Sequence, residues 1–181
     1  MNVLNKLYFL TPLLFFSECT NVSKESVAVQ NNIITIPKNI KDELLQQFPS
    51  VEIIKKEDYS KLFWDFYDSD AIPNECFTDI NNDQLLDYAL LVEEGDKLKL
   101  VIIMSSKKDY SYWISPFSIE RINSEGVNSC ITIKPAGRID VVKKVPESLV
   151  IKKNGFLLKN LEQDNLIFYE DDNKIKIFKM L

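Results

Sequence analysis

The chain has 181 residues, 45% of them hydrophobic, which fits one domain with a real core and excludes wholesale disorder. Its 22 basic and 27 acidic residues give a net charge of −5, and its basic runs stop at pairs such as Lys107-Lys108, Lys143-Lys144 and Lys152-Lys153; this argues against a nucleic-acid partner. There is no histidine, so Ser-His-Asp and Cys-His catalysis, His-bound zinc and imidazole pH sensing are excluded.

Residues 1–19 read MNVLNKLYFLTPLLFFSEC. Lys6 supplies a positive start, and Leu7 to Phe16 form an apolar stretch. A spanning helix takes about 20 residues, so this stretch suits a signal-peptide core instead. Phe16-Ser17-Glu18-Cys19 resembles the lipobox of bacterial lipoproteins, in which a small residue precedes a Cys that is lipidated and becomes the first residue. Here Glu18 stands in the small residue's place. The resemblance implies a lipid on Cys19, a membrane anchor and an exported, periplasmic or outer-membrane protein. The alternatives are an ordinary secretory signal cut nearby, giving a secreted protein, and an uncleaved anchor. Residues 20–32, TNVSKESVAVQNN, are polar and read as a tether, leaving 33–181 as a single globular domain. With Cys19 lipidated, Cys76 and Cys130 remain as an even pair in an oxidising compartment. They read either as a disulfide or as two buried free thiols.

Along the domain, Ile33 to Ile36 is a short β-branched run stopped by Pro37. KNIKDELLQQFP then puts Ile40, Leu44, Leu45 and Phe48 on one helical face, with Pro49 as the stop. Ser50 to Ile54 is a strand candidate. KEDYSKLFWDFY places Tyr59, Leu62, Phe63, Phe66 and Tyr67 at helical spacing, which predicts a core-facing aromatic stripe with Trp64 off it. From Cys76 onward the pattern turns to strands. Asp87 to Glu93 and Lys97 to Met104 flank Glu94-Gly95-Asp96 as a hairpin, and their continuous apolar runs predict central strands covered on both faces. Strands are predicted next at Tyr110 to Ser115, Ser129 to Lys134, Ile139 to Val142 and Leu149 to Lys152. Asn154-Gly155 is a hairpin signal leading into Phe156 to Leu158, and Leu166 to Glu170 and Ile175 to Met180 flank a terminal hairpin at Asp171-Asp172-Asn173. Two helices followed by a run of strands predict an α+β fold, with two N-terminal helices packed on a mostly antiparallel, multi-stranded sheet or meander. No repeat at propeller spacing and no Gly-rich phosphate loop is present, since the four glycines stand at 95, 126, 137 and 155.

The stretch FTDINNDQLLDYA, residues 77–89, carries the one candidate site. A hard cation such as calcium takes six to eight oxygens from a short curled loop, whose alternate positions point inward together. Asp79, Asn81 and Asp83 fill positions one, three and five, the Leu85 carbonyl serves at seven, and Asp87 fills nine. The twelfth position is Leu90 where an EF-hand needs a bidentate Glu, and the flanks read as strands, so an EF-hand is rejected. The stretch resembles the calcium loops of FG-GAP and VCBS-type repeats, in which an apolar residue precedes the loop and a hydrophobic strand follows, as Phe77 and Tyr88 to Leu91 do here. The wider segment CFTDINNDQLLDYALLVEEGDKLKLVIIMSS is similar to secreted bacterial proteins of unknown function that carry one such loop. The resemblance implies a calcium cofactor with a structural role. It departs from that pattern at Gln84, which takes the place of a glycine in the left-handed conformation, and at Asn82 before Asp83. The alternative is a metal-free turn in which Asp79, Asn81 and Asp83 accept the turn's own backbone N–H groups.

These features lead to a non-catalytic binding or structural module rather than an enzyme. An envelope inhibitor or immunity-type protein with a protein partner is one version. A carbohydrate-binding module using Tyr110, Tyr112 and Trp113 as stacking surfaces is another. Carboxylate pairs such as Asp65 and Asp68, or Glu93 and Glu94, match no specific hydrolase arrangement, since 27 acids produce such pairs by chance.

Overall fold

In the computed structural model, residues 35–122, 124–141 and 147–180 are described. The expected signal peptide, Cys19 and the tether lie outside them. The elements begin with α1 (Lys38–Gln47), β1 (Glu52–Ile53), α2 (Lys61–Phe66), β2 (Glu75–Thr78), β3 (Asp87–Glu94) and β4 (Lys97–Ser105). They continue with β5 (Tyr110–Ile114), β6 (Glu120–Arg121), β7 (Ser129–Lys134), β8 (Gly137–Val141) and β9 (Glu147–Ile151). The last three are β10 (Gly155–Asn160), β11 (Leu166–Asp171) and β12 (Lys174–Lys179). Among the described residues no helix is long and apolar enough to cross a membrane.

The expected α+β fold is corrected: strand holds 46% of the structure and helix 14%, and one helix reaches seven residues. The protein is mostly β, with several antiparallel sheets in place of two helices laid on one sheet. Part of the reason lies in the second helical pattern. A 3-10 turn at Lys56–Asp58 and an extended Tyr59 break it, and Ser60 caps what is left by accepting the Phe63 N–H at 2.9 Å. Only Lys61–Phe66 is α-helical.

The first sheet runs β1-β3-β4-β5, with β2 also paired to β3 and β6 to β4. Its central strands alternate between two clusters, as the continuous apolar runs demand. Leu90, Val92, Val101 and Ile103 face α1, whose Ile40 and Leu44 are buried against them. Ala89, Leu91, Leu100 and Ile102 face the opposite way, into the main core. The second sheet, β12-β11-β10-β7, closes that core with Phe156, Leu158 and Phe168, and Trp113 meets Phe168 edge-on at 5.9 Å across the gap. The short α2 packs into this core through Phe63, so the two helices meet separate clusters on opposite faces of the first sheet. A β8–β9 hairpin covers the outer face of the second sheet, where Ile139, Val141 and Ile151 pack on Ile167 and Phe178.

Two further sequence readings change. Of the predicted stripe, Tyr59 and Phe63 are buried and Tyr67 packs against the same core, while Leu62 and Phe66 are 42% and 69% exposed. Trp64 instead packs on Tyr59 and Phe63, with Lys56 over its ring. Asn154-Gly155 is not a hairpin turn between neighbours, because β9 pairs with β8, and β10 pairs with β7 and β11. Gly155 is needed for closeness: a Cβ there would lie 2.6 Å from the Phe168 carbonyl oxygen.

Candidate functional site

The loop between β2 and β3 is built by its own side chains. Asp79 accepts three backbone N–H groups, those of Asn82 (2.6 Å) and Asp83 (3.2 Å) at Oδ1 and that of Gln84 (2.9 Å) at Oδ2. Asn81 Oδ1 accepts the Asp83 N–H at 3.0 Å, and Asp83 Oδ1 accepts the Leu85 N–H at 2.9 Å. These are the Asx-turn bonds of the metal-free alternative. They curl the chain tightly enough to drive Asn82 and Gln84 to φ 63° and 70°. Ile80 points inward and is fully buried, anchoring the loop to the main core.

Asp87 stands apart from the other three. It is 0% exposed, and its two oxygens take the Ile80 N–H at 2.9 Å and the Ser105 N–H at 2.8 Å. One carboxylate thus ties the loop to the start of β3 and the end of β4. Ser105 returns a bond from its hydroxyl to the Leu86 carbonyl at 2.5 Å. Burial pushes the Asp87 carboxyl up to about 6; the two N–H donors oppose the rise, and the charges of Asp83 and Asp79 add to it.

Four of the five residues singled out in the sequence, Asp79, Asn81, Asp83 and Leu85, therefore lie in one turn, and Asp87 opens β3 beside it. As oxygen donors they suit a hard cation in chemistry, although Asp79 Oδ1 already accepts two N–H groups. Their placement is another matter. Among the described residues no three Cys, Asp or Glu side chains converge as a metal-ligand group. Asn81 also turns its amide nitrogen to Asp83 Oδ2 at 3.1 Å.

Beside the loop lies a groove of about 390 Å³, lined by Asn81, Asp83, Asp109, Tyr110, Glu170 and Asn173 among others. Sequence reasoning did not assemble it, because its residues come from three turns far apart in the chain. The only local sign was the turn chemistry of Asp171-Asp172-Asn173, where Asp172 and Asn173 take φ 52° and 59°. The proposed aromatic platform is not assembled either. Tyr112 packs edge-on against Phe48 on the α1 side, while Trp113 meets Phe168 in the main core. Tyr110 belongs to the α1-side cluster as well as the groove.

Cys76 and Cys130 are free, and both contribute to the main core. Of the carboxylate pairs, Glu94 is held by Lys99 at 2.5 Å, which keeps its carboxyl below the usual range. No family model, no curated protein and no solved structure matches this chain.

Proposed function

We propose that this chain is an exported, non-catalytic module, held at a membrane by a lipid on Cys19, that works as a binding or structural domain. One observation carries the non-catalytic part. Among the described residues the buried carboxylates are Glu75, Asp87 and Glu170, and each braces separate parts of the fold. Glu75, on β2, accepts the Ile36 N–H at 3.1 Å and pairs with Lys41 of α1 at 2.6 Å. Asp87 joins the loop to β4 as described above. Glu170 pairs with Lys153 and accepts the Asn173 N–H at 2.5 Å, holding the terminal hairpin. A general acid or base works instead from an oxygen that meets a substrate proton.

Stability distinguishes the two roles. Glu75→Gln and Asp87→Asn each lower unfolding free energy by about 1–3 kcal/mol if the carboxylates are braces. Variants as stable as wild type or more so show that these carboxylates do not brace the fold and overturn the reading. The export part is tested by labelled fatty acid, which is incorporated by the full chain and lost in Cys19→Ser; equal labelling refutes the anchor.

A second reading of the loop is favoured by the repulsion that the charges of Asp83 and Asp79 exert on Asp87. One calcium ion held by Asp79, Asn81, Asp83, the Leu85 carbonyl and Asp87 relieves it. On this reading, calcium at about ten times its Kd stabilises the fold by about 1.4 kcal/mol over chelator. Identical melting curves in calcium and chelator reject it.

A further inference from the structure

Cys76 lies on β2 and Cys130 on β7, strands that belong to different sheets. β2 pairs with β3 and β7 with β10, so no ladder joins the two strands. They nevertheless pack directly on one another. The Ile131 N–H, next in chain to Cys130, donates to the carbonyl of Pro73 at 2.9 Å and fixes β7 against the lead into β2. Both cysteines turn into the same apolar core, Cys130 buried and Cys76 half-buried against it. The Cys130 thiol is near enough to add to the rise that burial imposes on Cys76.

We propose that Cys76 and Cys130 are a disulfide pair, and that their oxidation staples the first sheet to the second. The geometry stands without the export reading; the place of oxidation rests on it. In the step, both S–H bonds break and one S–S bond forms. The two electrons and two protons pass to the disulfide of a thiol–disulfide oxidoreductase or of oxidised glutathione, which becomes two thiols. Burial raises both thiols, so the folded dithiol holds little of the thiolate that attacks. The bridge therefore forms while the chain folds, before the core closes over it.

The test uses the full chain carrying Cys19→Ser, so that only this pair can react. The chain is unfolded, reduced, refolded in a buffer of reduced and oxidised glutathione, then denatured, alkylated and weighed. The expected product is two hydrogens lighter than the dithiol and carries no alkyl group. Reduction then shifts its denaturant midpoint downward, whereas the midpoints of the Cys76→Ser and Cys130→Ser variants do not respond to reduction. Two alkylated thiols, separate glutathione adducts, or a midpoint indifferent to reduction overturn the pair. A bridge that forms in the tube while protein isolated from cells stays reduced supports the pair and overturns the export reading instead.

Discussion

Gln84 holds φ 70°, a conformation that costs an L residue about 1–2 kcal/mol and a glycine almost nothing. Its side chain is exposed, while its N–H is already bound to Asp79. Gln84→Gly keeps that bond and relieves the strain, at the cost of a looser unfolded chain. The net expectation is a gain of about 0.5 kcal/mol in urea unfolding, and a loss shows that the backbone is unstrained. Asp87 makes a prediction in pH. Its folded carboxyl titrates at about 6 and an unfolded one at about 4, so the folded state binds this proton more tightly. The contribution of Asp87 to stability is therefore largest below about pH 4 and falls as pH rises through about 6. Asp87→Asn abolishes that dependence and turns an amide N–H toward one of the two donors. The wild type then gains on the variant by about 1–3 kcal/mol as pH drops from about 7 to about 4; a constant gap contradicts the assignment. The loop was the most legible part of the sequence because its logic is local. Spacing placed Asp79, Asn81 and Asp83 in one turn with Asp87 at its end, and the missing glycine marked the left-handed position.

Elements were legible where one pattern filled the whole element. The runs ALLV and LVIIM gave β3 and β4 because a strand covered on both faces has no polar alternation to lose. α1 followed from its Ile40 and Leu44 spacing. The segment 56–67 failed for the opposite reason. Its apolar residues keep helical spacing, but the chain breaks before Ser60 and only Lys61–Phe66 is α-helical, with Phe63 buried and Phe66, in the last helical position, left outside. Two truncations express this. Phe63→Ala costs about 3–5 kcal/mol through cavity formation, while Phe66→Ala changes stability by no more than about 0.5 kcal/mol. Equal losses at both positions restore the sequence stripe and contradict the observed one. Asn154-Gly155 misled because pairing is not local. A β8–β9 hairpin is inserted between β7 and β10, and Asn154 instead bridges parts of the fold, accepting the Ala136 N–H and donating to Thr78 Oγ1 at 2.9 Å.

At the scale of the molecule, α1, the first sheet, the second sheet and the β8–β9 hairpin stack over successive apolar clusters. That stacking follows from which strands pair, and sequence periodicity carries no information on pairing between distant strands. Hence the existence of most strands was readable, while the mostly β architecture, the groove beside the loop and the meeting of β2 with β7 were not. Polar side chains at 79–87 serve as a clasp for this architecture. The most direct measurement of that clasp is urea unfolding of wild type and Asp79→Ala, both in chelator. Removing the acceptor of three backbone N–H groups is expected to lower stability by about 1–3 kcal/mol with an unchanged denaturant slope. An Asp79→Ala chain as stable as wild type without calcium contradicts the clasp.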